Sequence, residues 1–150
     1  MSRRWLGIAL VVSLAVVAGA GGTAFARSRQ IPTVTITIHY SHFYPSDVAV
    51  KAGTAVRFTV VNTDPIDHEF IVGDEALQQQ EETGTDTVHD GSVPGQISVP
   101  AGTTRSLVVT MPRRSPDQPP GVPGAGSLIF ACHLPGHYAY GMRGSITLTS

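Results

Sequence analysis

A single cysteine stands among the 150 residues, so an intrachain disulfide is excluded. Charge is also scarce, with ten Lys and Arg against eleven Asp and Glu and a formal net charge of −1. A nucleic-acid-binding domain normally carries a strongly basic surface, and this balance argues against a nucleic-acid partner. Internal repeats are absent as well, which excludes a repeat architecture.

The first 26 residues have the composition of a secretory signal peptide. Two arginines precede an apolar run at residues 5–20, and Ala24-Phe25-Ala26 forms an A-x-A-like cleavage site. The alternative is an uncleaved membrane anchor, because the run is close to the lower limit of about 17 apolar residues for a membrane span. We therefore expect an extracytoplasmic protein (periplasmic, cell-surface or secreted) that meets the membrane only if the leader stays attached.

Removal of residues 1–26 would leave eight Lys and Arg against eleven Asp and Glu, a net charge of −3. Residues 27–150 are enough for one domain with a single core. In an oxidising compartment, the lone thiol has three interpretations: an intermolecular bridge, an inert buried side chain, or a metal ligand.

Short alternating segments separated by Gly and Pro turns dominate the rest of the chain. Val34, Ile36 and Ile38, for example, lie on one face of a segment whose other face carries threonines. The pattern predicts an all-β sandwich or barrel of antiparallel strands. Strands are predicted at residues 33–39, 47–51, 56–62, 68–72, 96–99, 104–111, 127–132 and 144–149.

Three stretches interrupt the strand pattern. Residues 74–82 combine good helix formers with an acidic start, which predicts one short helix. Residues 83–94 show no periodicity and predict a long loop. Residues 112–126 contain five of the eleven prolines, which predicts a surface connection without regular structure.

The cysteine begins the segment CHLPGHYAYGM, residues 132–142. Cys132 ends an apolar strand, Pro135-Gly136 predicts a turn, and Met142 precedes the last strand. A loop held between two strands can bring a thiolate, the imidazole of His137 and a thioether to one point. Soft sulfur together with imidazole selects copper among the common metals, so the segment predicts a copper site.

Such a site needs a second imidazole. His133 is a poor choice, because its neighbour Cys132 would point to the opposite side of a strand, and we expect His133 to face outward. His68 begins an apolar strand after the Asp64-Pro65 turn, where it can approach the cysteine loop. Asn62 is expected to fix that turn through side-chain-to-backbone hydrogen bonds.

The pattern Cys-x4-His-x4-Met, with an upstream His68 and the lead-in at residues 43–54, resembles the cupredoxins, the small blue copper proteins. The resemblance covers nearly all of residues 31–149. It implies a Greek-key β-sandwich of seven or eight strands, one type 1 copper ion and one-electron transfer. Carried over by position, it assigns His68, Cys132 and His137 as equatorial ligands and Met142 as the weak axial ligand.

The chain departs from the family pattern at Glu69 and in residues 74–94 and 112–126, which are longer than a minimal cupredoxin needs. Glu69 stands directly after the first predicted ligand, where many cupredoxins have Asn or Ser. It either lies close to the metal and lowers the reduction potential or decorates the surface. His39, His42 and His89 are expected to be solvated or to lie near the ligands, with His42 or His89 as a weak secondary metal site.

The functional prediction is a monomeric electron carrier that meets redox partner proteins through small, transient interfaces. The alternative is a periplasmic or surface protein for copper resistance or delivery, which would use the same ligands. No enzymatic activity is expected, because the sequence has no His-x-His motifs for further copper ions. Glu69 keeps open a single-copper site with a carboxylate ligand and an open position.

Overall fold

The computed structural model describes residues 30–84, 88–113 and 127–150. The predicted leader at residues 1–26 and residues 114–126 of the proline-rich connection lie outside these ranges. Within them, no helix is long and apolar enough to cross a membrane. The elements are β1 (Thr33–His39), β2 (His42–Tyr44), β3 (Asp47–Lys51), β4 (Ala55–Asn62), β5 (His68–Gly73), α1 (Glu75–Thr83), β6 (Gln96–Val99), β7 (Thr104–Thr110), β8 (Ser127–Ala131) and β9 (Arg143–Thr149).

The strands form two sheets, one of four strands in the order β2-β1-β4-β7 and one of five in the order β3-β9-β8-β5-β6. The predicted all-β sandwich is therefore confirmed. The expectation of antiparallel strands throughout is wrong, because β1 pairs with β4, and β3 with β9, in parallel. Between β1 and β4 the chain crosses to the other sheet to form β3, and a crossover permits parallel pairing where a hairpin does not.

Aromatic side chains from both sheets meet in the core. Phe58 of the four-stranded sheet lies 5.5 Å from Phe70 of the five-stranded sheet, centroid to centroid. Phe43 and Phe130 extend the cluster, with a ring distance of 5.3 Å, and all four rings are buried. Each aromatic pair adds about 0.5–1.5 kcal/mol beyond its area burial. The cluster therefore stabilises the packing of β5, which contains Phe70, and of β8, which contains Phe130.

All eight predicted strands are present, three with the predicted bounds and five with one end shifted by one residue, but β2 was not anticipated. It follows a two-residue turn in which Tyr40 and Ser41 have φ of 51° and 54°. Sequences normally mark such a hairpin turn with Asn-Gly or Asp-Gly, and Tyr-Ser carries no such signal. With β2 included, the described residues contain nine strands, against the seven or eight that the resemblance implied.

The predicted helix is present as α1, capped by Asp74, whose side chain accepts a hydrogen bond from the Leu77 amide at 3.0 Å. Its Gln78 is buried and donates to the carbonyl oxygens of Ile71 and Ile129 at 3.3 and 3.2 Å. The helix is thus fastened to β5 and β8, the two strands that lead to the predicted metal ligands. This cover explains why β5 is buried from His68 to Val72 rather than alternating.

Candidate metal centre

Three of the four predicted ligands converge at one end of the sandwich. His68 begins β5, Cys132 directly follows β8, and His137 lies in the turn after it. The Nδ1 atoms of the two histidines are 3.3 Å apart, and the Cys132 Sγ lies 3.2 Å from the His137 Nδ1. All three donor atoms lie within 4.8 Å of one another. Cys132 and His137 follow His68 by at least 64 positions in the sequence, and the fold brings all three together.

Asp64 fixes the orientation of His68. Its Oδ2 lies 2.9 Å from the His68 Nε2, and both side chains are buried. An imidazole that donates from Nε2 to a carboxylate keeps its lone pair on Nδ1, the atom that faces His137. The ring is thus held in the tautomer that a metal ligand requires.

The Asp64 carboxylate is itself held by the β1–β2 turn. The amides of Tyr40 and Ser41 donate to its two oxygens, each at 2.7 Å. Burial alone would raise the pKa of Asp64, but these bonds and the one from His68 outweigh it, so that the pKa lies below its usual value. Asp64 is therefore an anion at neutral pH.

Asn62 fixes the turn before His68, as predicted. Its side-chain amide nitrogen donates to the carbonyl oxygens of Ile66 and Val99 at 2.8 and 2.9 Å, and its oxygen accepts from the Asp64 amide at 3.0 Å. Sequence reasoning identified Asn62 but treated Asp64 only as turn punctuation. A carboxylate four residues before a predicted ligand histidine was the available signal for its role.

Cys132 is fully buried, and the backbone amide of Glu69 donates to its sulfur at 3.3 Å. Burial raises the pKa of the Cys132 thiol to about 11. Without a cation the sulfur therefore stays protonated at neutral pH, whereas a bound metal ion would deprotonate it.

His137 is positioned by the ligand loop. Its amide donates to the Leu134 carbonyl at 2.9 Å, and its carbonyl accepts from the Met142 amide at 3.0 Å. Burial and the neighbouring His68 lower the pKa of His137, so its ring is neutral and able to ligate at neutral pH. Met142, the predicted axial ligand, is buried. Its backbone carbonyl accepts a hydrogen bond from the Cys132 amide at 3.2 Å.

These residues fit a copper ion. The His137 Nδ1 lies 3.3 Å from the His68 Nδ1 and 3.2 Å from the Cys132 sulfur, and a single cation among the three donor atoms would satisfy all of them. Nitrogen and soft sulfur donors in this combination are those that copper prefers. That the four residues act as ligands stays a prediction.

His133 does not face outward as predicted, because α1 covers it. Its side chain is only 3% exposed. Nε2 lies 2.7 Å from the Gln78 Oε1, and Nδ1 lies 2.9 Å from the Glu82 Oε2. The ring also stacks on Tyr138, with the centroids 4.8 Å apart. The prediction missed that α1 packs against this side of the ligand loop, which makes His133 an interior residue.

Glu69 is buried, with 2% of its surface exposed, so it does not decorate the surface. Its Oε2 accepts from the His133 amide at 3.1 Å, which ties β5 to the ligand loop. Burial raises the pKa of Glu69. Of the remaining histidines, His39 and His42 are exposed as expected, whereas the His89 side chain is only 7% exposed and lies beside Glu69.

Solved structures of similar fold include two auracyanins. Auracyanin from Roseiflexus castenholzii has a TM-score of 0.61 at 19% identity, over 79% of this chain and 97% of that one. Auracyanin A from Chloroflexus aurantiacus, titled a "blue" copper protein, has a TM-score of 0.58 at 18% identity, over 80% of this chain and 100% of that one. At such identities the likeness concerns the fold alone.

Three curated relatives are each named copper-resistant cuproprotein CopI. The protein of Rubrivivax gelatinosus is 32% identical over 110 residues, which is 71% of this chain but only 59% of that protein's length. The protein of Vibrio cholerae is 28% identical, over 82% of this chain and 68% of its own length. The protein of Pseudomonas aeruginosa is 28% identical, with 97% of each chain covered.

A family model described as a cupredoxin-like domain matches residues 7–83, just over half of the 150 residues. That range contains His68 and Asp64, while the cysteine loop lies beyond it. Together with the two-sheet sandwich and the cluster of two histidines and one cysteine, the match shows that this chain belongs to the cupredoxin-like family.

Proposed function

We propose that the protein binds one type 1 copper ion and carries single electrons between redox partner proteins. The ligands are His68, Cys132 and His137, with Met142 as the weak axial ligand. The observation that carries the proposal is the convergence of two imidazole Nδ1 atoms and one thiol sulfur within 4.8 Å at one end of the sandwich, where His68 and Cys132 are buried. A trigonal set of two histidines and one cysteine with a distant methionine is the ligand set of electron-transfer copper sites.

Bound there, copper would supply a one-electron couple between Cu(II) and Cu(I). The protein's part is to hold the donor atoms in one arrangement. His68 is locked by Asp64, and the Cys132 sulfur accepts from the Glu69 amide. Because these contacts rest on the packed ends of β5 and β8, little rearrangement of the protein would accompany a change of charge.

His137 is the proposed point of electron exchange. It is partly exposed, whereas His68 and Cys132 are buried. Tyr140, in the same loop as His137, is exposed. Ile66, in the turn before β5, is exposed as well. A monomer with this face would meet another redox protein through a small, transient contact. The proposal includes no enzymatic activity, and it places the protein outside the cytoplasm because the first 26 residues resemble a secretory leader.

Copper resistance is the second candidate function. The names of the three curated relatives favour it, although the first of them is matched over only 59% of its length. In this role the same ligands would sequester or deliver copper, so the two functions differ in what happens after binding.

Absorption and electron paramagnetic resonance spectra of the copper-loaded protein test the site. We expect an intense charge-transfer band in the visible range and narrow copper hyperfine splitting, both lost in Cys132→Ser. His42→Ala is the matched control, since it removes an exposed histidine remote in sequence from the loop and should leave both signals intact. A weak band that survives Cys132→Ser would place copper elsewhere and overturn the proposed site.

Two further measurements separate the functions. A reversible one-electron wave and rapid electron exchange with a soluble redox protein would support electron transfer. Copper sensitivity of cells that lack the gene, without any respiratory defect, would support copper resistance instead. An irreversible wave combined with that sensitivity would reject the carrier.

A further inference from the structure

Two buried polar atoms lack a hydrogen-bond partner among the described residues: Glu69 Oε1 and His89 Nε2. They face each other at 3.6 Å, and neither side chain has more than 7% of its surface exposed. An unpaired buried polar group costs about 1–3 kcal/mol, and a bound ion is one of the ordinary explanations for such a group. The pair therefore marks a place where a ligand is expected.

A second carboxylate approaches the same imidazole nitrogen. Glu81, which lies on α1 and is 11% exposed, places its Oε2 3.9 Å from the His89 Nε2. The imidazole is thus flanked by one carboxylate from β5 and one from the helix.

Both carboxylate side chains are oriented by other contacts. The Glu69 Oε2 accepts from the His133 amide at 3.1 Å, and the Glu81 Oε1 accepts from the Gln96 amide group at 2.8 Å. Each carboxylate therefore has one oxygen engaged and the other turned towards His89. Holding a ligand by its second polar atom is a regular feature of metal sites.

The backbone places His89 beside Glu69. The His89 amide donates to the Ser98 hydroxyl, and the Ser98 amide donates to the His89 carbonyl, both at 2.8 Å. Ser98 in turn pairs with Glu69 across β5 and β6. His89 is therefore fixed one position beyond the sheet edge, on the side of the buried carboxylate.

The distances suit a metal ion. Zinc-type ions bind nitrogen and carboxylate oxygen at about 2.0–2.2 Å, so two donors on one ion lie no more than about 4.3 Å apart. The separations of 3.6 and 3.9 Å fall within this limit. One neutral imidazole and two carboxylates also offset the charge of a divalent ion.

We propose that His89, Glu69 and Glu81 form a second metal site, for a divalent cation such as Zn(II) or Cu(II). Imidazole and carboxylate donors without sulfur favour these divalent ions over Cu(I). The site shares no donor atom with the cluster of His68, Cys132 and His137, and it holds whether the protein carries electrons or handles copper.

Zinc titration of the copper-loaded full protein tests the site. Isothermal calorimetry should show one zinc ion bound beyond the copper, while the visible absorption of the copper stays constant. His89→Gln and Glu81→Gln should each weaken zinc binding by at least about 100-fold, since both remove a direct ligand. His42→Gln, which changes an exposed histidine of β2, should bind zinc like the wild type.

Several outcomes would overturn the proposal. The site is refuted if the wild-type protein takes up no zinc, or if it takes up zinc only by displacing the copper. Equal zinc affinity in Glu81→Gln and the wild type would also refute the site. If His89→Gln fails to fold, the Glu81→Gln variant is the deciding test, because Glu81 is the most exposed of the three proposed ligands. Loss of zinc binding in His42→Gln would show that the zinc ion binds at the β1–β2 hairpin and would refute the proposed site.

Discussion

The replacement Asp64→Asn tests how strongly one buried carboxylate positions the predicted copper ligands. Asp64 accepts three hydrogen bonds: Oδ1 from the Tyr40 amide, and Oδ2 from the Ser41 amide and the His68 Nε2. Asparagine has one oxygen and one amide group in place of two oxygens. Whichever way it is oriented, its NH₂ group must face at least one of these donors.

The better orientation places the asparagine oxygen where Oδ2 now lies. Ser41 and His68 then keep an acceptor, and the Tyr40 amide faces an NH₂ group. One unsatisfied buried donor costs about 1–3 kcal/mol, so we expect the free energy of unfolding of the apoprotein to fall by that amount. Because His68 also loses its anionic partner, copper affinity should fall about 10–100-fold.

Urea denaturation of the apoprotein gives the first quantity, and competition with a Cu(I) chelator gives the second. Asp67→Asn is the matched control. Asp67 lies in the same turn and accepts from the Ala101 amide at 2.8 Å, but it is exposed and has no hydrogen bond to His68. Its replacement should change stability by no more than about 0.5 kcal/mol and leave copper affinity unchanged.

The reasoning fails if Asp64→Asn binds copper as tightly as Asp67→Asn. It also fails if both variants lose affinity equally, because the effect would then come from the turn as a whole. A loss of stability without a loss of affinity would show that Asp64 supports the β1–β2 turn but does not orient His68.

Three further predictions concern the ligand loop and its base. Copper binding at pH 7.5 should release about one proton, because the Cys132 thiol has a pKa of about 11 and must ionise to bind the metal. Calorimetry in buffers of different ionisation enthalpy measures the number of protons released. Cys132→Ser should release about one proton fewer than the wild type. Met142→Leu should raise the reduction potential while the visible band persists, because a thioether stabilises Cu(II) more than leucine does; an unchanged potential in voltammetry would remove Met142 from the ligand set. Gly144→Ala should destabilise the apoprotein by at least about 1–3 kcal/mol in urea denaturation, because a Cβ there would collide with the Phe130 ring and the Ser46 carbonyl; wild-type stability would contradict that packing.

Much of the fold was predictable because strands leave a two-residue period in the sequence. The alternation of Val34, Ile36 and Ile38 is reproduced by burial in β1, and β6 has the predicted bounds. What the period cannot encode is the order of strands in a sheet. The parallel pairing of β1 with β4 depends on where the chain crosses between sheets, which depends on distant packing rather than on local pattern.

The candidate site was predictable for a different reason. Cys132, His137 and Met142 are close in sequence, so a single turn was enough to suggest a common centre. His68 was identified from its place after a turn and before an apolar strand. Asp64 was missed because its three hydrogen bonds come from elements whose proximity the sequence does not show.

His133 and Glu69, for which the sequence predicted or allowed exposure, are buried for one shared physical reason, the helix α1. Taken as a bare sandwich, the chain would leave the outer face of β5 and the far side of the cysteine loop in water, and His133 and Glu69 would be exposed. Gln78 changes this, since its amide group binds the carbonyls of Ile71 and Ile129 while its oxygen accepts from His133.

The helix therefore connects β5, β8 and the ligand loop through polar contacts that become buried only when it docks. Buried polar groups are costly unless every partner is present, so docking of α1 and ordering of the loop should be coupled. The same docking brings Glu81 to His89 and Glu69. Helix α1, which lies in a segment longer than a minimal cupredoxin needs, thus both braces the proposed copper ligands and completes the proposed second cation site.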